Sequence, residues 1–136
     1  MEHRTKQDLA LYNLVSEFEV NHHKGGIKYL DEKSYSQLIR YYEGEEKLDK
    51  AIEVAELAIK QYKYRAEFYI TISHLYLKHN RAEQSLSYLE RAEAIAPYEN
   101  EILLLKARAF CANDQYESAF ACLEDVAVYA LSLIHI

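Results

Sequence analysis

Six histidines, two cysteines and 22 acidic residues are the groups here that could hold a metal or run acid–base chemistry, and their spacing argues against both. His22 and His23 are adjacent, and neighbours on a helix point about 100° apart. The pair therefore reads as a solvated helix end beside Lys24. His74 and His79 lie five apart, off a single helical face, and would meet Cys111 only through tertiary packing. Cys111 and Cys122 have no metal-ligand spacing and make no disulfide framework. They read as small apolar fillers inside helices. Glu45-Glu46 and Glu124-Asp125 read as solvated surface. Three glycines cannot supply a phosphate-cradling loop, and neither a nucleophile elbow nor a paired-histidine zinc helix occurs. The chain is expected to be no enzyme, with no catalytic residue, metal or cofactor.

The elements around these residues follow from composition. A chain of 136 residues suits one domain, and half of it is apolar with 28% charged, a globular balance. Gly25, Gly26, Gly44 and Pro97 are its only glycines and proline, which favours helices, because sheets need frequent tight turns. A net charge of −6 disfavours nucleic acid and anionic membrane as partners. The start, Met1 to Asp8, has no apolar core of a signal peptide, and the apolar stretch 126–134 is too short to span a bilayer. The expected location is the cytoplasm.

Self-similarity at a fixed period is the strongest pattern. Ala51, Ser85 and Ala119 are each 34 residues apart. The same shift carries Tyr35 onto Tyr69 and Leu103, Tyr42 onto Tyr76 and Phe110, and Ala58 onto Ala92 and Val126. It also carries Ile39 onto Ser73 and Ala107, and Tyr64 onto Tyr98.

With Tyr69, Ile72, Ser73, Tyr76, Ser85, Leu89, Ala92 and Pro97, the middle unit resembles the tetratricopeptide repeat. The first unit departs from that pattern at Ile39 and Lys63, and the third loses it after Val126. The resemblance implies an all-α, right-handed solenoid of three helical hairpins, with units 32–65, 66–99 and 100–130. Helices are placed near 34–44, 48–61, 66–79, 82–95, 100–112 and 116–130. Small residues such as Ala51, Ala58, Ser85 and Ala92 let helices cross closely, with large residues filling the adjoining holes. A hairpin of this kind cannot bury its apolar face alone, so neighbours stack.

Residues 1–31 form a separate N-terminal segment. Leu11, Leu14, Val15 and Phe18 make one stripe on a helix over 5–22, ended by Gly25-Gly26. That helix is expected to cap the solenoid, with docking of a partner as the alternative. The segment 131–136, Leu-Ser-Leu-Ile-His-Ile, resembles the translation of a sequencing-library adapter and begins where repeat register fails. It is expected to be a non-native tail on a truncated reading frame. Tyr12, Tyr41, Tyr62 and Tyr129 lie outside the main repeat positions and are expected to add contact surface.

In the family resembled, the first helix of each hairpin lines a concave face on which a peptide or helix lies. Position by position, that face takes Lys33, Ser36, Gln37, Arg40 and Glu43 from unit one. It takes Glu67, Ile70, Thr71, His74 and Leu77 from unit two, and Glu101, Leu104, Leu105, Arg108 and Cys111 from unit three. Arg40 and Arg108 suit a carboxylate. Repeats that bind acidic chaperone tails use a Lys, Asn and Arg clamp. The matching places here hold Ser36, Arg40, Thr71, Glu101 and Leu105, so that partner class is not expected. The resemblance implies a bacterial interaction scaffold for a protein or peptide. Two alternatives stand beside it: the arm of a larger enzyme or regulator, and self-association through the concave face.

Overall fold

The computed structural model describes residues 2–23, 25 and 29–134, and all regular structure among them is helical. Met1, Lys24, residues 26–28, His135 and Ile136, together with the side chains of residues 2–5, of His23 and of residues 132–134, lie outside the described residues. The helices are α1 (Glu2–His23), α2 (Glu32–Gly44), α3 (Leu48–Gln61), α4 (Ala66–Lys78), α5 (Ala82–Ile95), α6 (Asn100–Ala112) and α7 (Tyr116–Ile134). Periodicity places α2 to α6 to within two residues. At the ends it falls short: α1 starts at Glu2, and α7 runs on to Ile134 through the point where the repeat pattern fails.

The helices gather into two compact units, Met1–Gln61 and Tyr62–Ile136. In the first, α2 and α3 form a hairpin and α1 packs on α2. The side chains of Tyr35, Leu38, Ile39 and Tyr42 are buried on one stripe of α2, and Ala51, Ala55 and Ala58 on α3. In the second, α4 with α5 and α6 with α7 form two hairpins, and α6 packs back on both α4 and α5. Ser73 and Ser85 show how close the α4–α5 crossing is. Ser85 Oγ donates to the Ser73 carbonyl at 3.0 Å, and Ser73 Oγ donates to the Tyr69 carbonyl at 2.7 Å. Both hydroxyls are fully buried, so each needs such a partner. Tyrosine packing continues alongside: Tyr88 stacks on Tyr76 with ring centres 5.7 Å apart, and the Arg91 guanidinium lies 4.9 Å from the Tyr69 ring centre.

All three hairpins turn in one way. Glu46, Asn80 and Asp114 share φ of 59°, the left-handed region, at positions 34 residues apart. The following amides of Lys47, Arg81 and Gln115 donate to the carbonyls of Tyr42, Tyr76 and Phe110 at 2.8–2.9 Å. This is a helix C-terminus closed by a six-to-one bond, which satisfies a carbonyl the helix leaves unpaired. None of the three turn residues is glycine, so each carries the cost of a Cβ in that region.

Asp31 starts α2. Its Oδ1 accepts from the Ser34 amide at 2.7 Å, and the hydrogen bonds from Ser34 hold its carboxyl below the usual carboxylate value. A lowered folded value means the cap contributes above the unfolded pKa and is lost as pH falls through the folded one. Thermal melts across pH should therefore show Asp31→Ala below wild type at neutral pH, with the gap closing in acid. Asp31→Asn should keep most of the stability, with no such pH dependence; a constant gap would mean the carboxylate is not the cap.

Candidate partner-binding faces

In the first unit, α2 divides its residues between two faces. Opposite the buried stripe stand Lys33, Gln37 and Arg40, spaced i, i+4, i+7 and exposed. Two helical turns separate the outer pair, about 10 Å along the axis. Beside them α1 contributes Gln7, Asp8, Ala10 and Leu11, and with Tyr41 these residues line an open cleft of about 600 Å³. Two cations and two amides face one carboxylate there, which favours an acidic ligand. Ser36 is exposed and Glu43 half-buried, and neither lines the cleft.

Side chains that periodicity does not relate hold α1 in place. Val15 is buried, and the Phe18 ring centre lies 6.4 Å from that of Tyr42. The Tyr42 hydroxyl donates to Glu19 Oε1 at 3.0 Å. Burial first, then the Glu19 carboxylate, pushes its pKa far up, so it stays a donor. His22 is exposed, as a solvated helix end would be, and it also makes contacts the sequence did not suggest: its Nε2 lies 2.7 Å from Glu53 Oε1 on α3, and its ring stacks on Phe18 at 5.8 Å. Its role is to tie α1 to the hairpin. Gln61 does similar work for the segment entering α2: its Nε2 donates to the Leu30 carbonyl and its Oε1 accepts from Tyr35 Oη, each at 2.6 Å. No sequence signal marks these pairs, because they join residues 23 to 31 positions apart.

In the second unit, α4 and α6 present the expected residues unevenly. Glu67 is exposed, while Ile70, Thr71, His74 and Leu77 are half-buried. Glu101, Leu104, Arg108 and Cys111 are exposed on α6, with Leu104 45% accessible. His74 Nε2 lies 3.8 Å from Glu101 Oε1, so α4 and α6 do bring two of these residues together. Leu105 is a correction. Only 3% of it is accessible, because α6 is packed by α4, α5 and α7 at once and its buried arc is wide. It is core and offers nothing to a ligand. Cys111 is a second correction: it is exposed, not an apolar filler, whereas Cys122 is buried as expected. Burial pushes the Cys122 thiol up, which makes it a poor nucleophile. Of the tyrosines expected to add contact surface, Tyr12 is exposed, but Tyr62 stacks on Phe68 at 5.9 Å and Tyr129 meets Tyr98 edge-on at 5.8 Å.

Among the described residues no group of three or more His, Cys, Asp or Glu is placed to hold a metal ion. None of the described helices is long and apolar enough to cross a membrane.

No family model matches the chain, and no curated protein matches it. Similarity appears at the level of structure. A solved chain titled MamA MSR-1 C2 superposes with a TM-score of 0.66 at 13% identity, over 74% of this chain and 57% of that one. The chain thus spans a little over half of that structure's length. The likeness shows the fold, an all-α solenoid of tetratricopeptide-like helical hairpins.

Proposed function

We propose that this chain is a non-enzymatic protein-interaction scaffold, and that the first-helix faces hold an acidic peptide or helix. The observation that carries the reading is the α1–α2 cleft, where Lys33, Gln37 and Arg40 stand together on an exposed face of a chain with net charge −6. Two cations on one exposed strip of a protein with negative net charge favour an anionic ligand at that place. In the second unit Leu104 and the half-buried Ile70 and Leu77 offer apolar anchorage, and Arg108 a carboxylate contact. The acidic balance supports a protein partner over nucleic acid or an anionic membrane, and a cytoplasmic setting in a bacterium fits the reading.

The two faces are tested separately. Wild type, Lys33→Glu/Arg40→Glu and Arg108→Glu would be titrated with fluorescent peptides ending in an acidic run, after circular dichroism shows the fold unchanged. The double variant should bind at least ten-fold more weakly, and wild-type affinity should fall with salt, because Lys33, Arg40 and Arg108 are exposed and salt screens exposed charges. Equal affinity for all three proteins would remove both faces from the function.

A further inference from the structure

A different surface, on α7, carries an inference that goes beyond this reading. Tyr116, Phe120, Leu123 and Ala127 follow one another at i, i+4, i+7 and i+11, and all four are exposed, Phe120 to 68% and Leu123 to 45%. At about 100° per residue they fall within one narrow stripe, contiguous with the buried side of the helix that carries Ala119 and Cys122.

The repeat says what such a stripe is for. Leu123 stands 34 residues beyond Leu89, which is fully buried on α5 where α4 and α6 both pack. The same register position is covered in one hairpin and open in the next. What covers α5 is a helix with a cation at its edge: Lys106 of α6 reaches Glu93 of α5 at 3.2 Å. Along the rim of the α7 stripe run Glu117 and Glu124, seven residues apart, and the helix from 116 to 134 contains no Lys or Arg. A second copy of this chain would bring the same uncompensated carboxylates to the contact. A helix with basic flanks would neutralise them.

We propose that the α7 stripe is a docking site for an amphipathic helix with an apolar ridge and lysine or arginine flanks, seated on α7 as α6 is seated on α5. The 136-residue chain would be titrated with two synthetic 15-residue helical peptides sharing one Leu/Ala ridge, one flanked by lysines and one by glutamates. The lysine peptide should bind at least ten-fold tighter at low ionic strength, with the gap narrowing as salt is added. Phe120→Asp should abolish that binding and, because Phe120 is mostly exposed, keep the circular dichroism of wild type. Glu117→Lys/Glu124→Lys should reverse the preference between the peptides. Absence of binding, equal binding of the two peptides, or binding indifferent to Phe120→Asp would overturn the proposal. So would sedimentation of the wild type as a dimer that Phe120→Asp dissolves, since a second copy would then hold the stripe.

Discussion

Leu89→Ala is expected to lower the unfolding free energy by about 2–5 kcal/mol, and Leu123→Ala, the same repeat position one unit on, by less than about 1 kcal/mol. Both remove the same atoms from the same place in a second helix of a hairpin. The difference comes only from what lies over them. Leu89 is fully enclosed in the α4–α5–α6 packing, so its truncation loses the transfer free energy and leaves a cavity that close-packed neighbours refill poorly. Leu123 already has nearly half of its surface in water, so truncation there gives up little burial and opens no void. Urea denaturation of the two variants measures both values. Equal losses would mean that the environments of the two hairpins do not differ as described.

The second expectation concerns Ala92, the small residue three positions after Leu89. Ala92→Leu should cost about 1–3 kcal/mol by overpacking. Ala58 and Ala92 are fully buried at equivalent positions, and the paired serine hydroxyls at the α4–α5 crossing show how little space separates those backbones. Three added carbons would force α5 away from its neighbours or push side chains off their rotamers. Val126 at the same position on α7 is only half-buried, so Val126→Leu serves as the internal control and should move the midpoint little. An unchanged midpoint for Ala92→Leu would put the close crossing elsewhere.

The helices were legible because their cause is local. Leu38, Ile39 and Tyr42, or Ile72, Ser73 and Tyr76, repeat at helical spacing, and that spacing is present in the chain before any tertiary contact forms. The positions on the first-helix faces came from the resemblance to the repeat family, and of these Lys33, Gln37, Arg40 and Arg108 are accessible. Leu105 was misjudged because its burial depends on how many helices surround α6, and repeat position alone does not carry that number. The ties from His22 to Glu53 and from Tyr42 to Glu19 were invisible for a related reason: each is a meeting of two unremarkable residues far apart in sequence. The left-handed turn residues were hidden by their chemistry. Asn80 and Asp114 belong to types that tolerate that backbone, but Glu46 does not announce it.

Those turns have a consequence for how such a chain changes over generations. Each hairpin closes through its own residues, with one amide returning to a carbonyl five positions earlier and borrowing nothing from a neighbouring unit. A tandem duplication of 34 codons would therefore copy a complete corner along with its two helices. The array can lengthen or shorten in whole steps without a new bend having to be invented, and mutation is left free to diversify the surfaces in between.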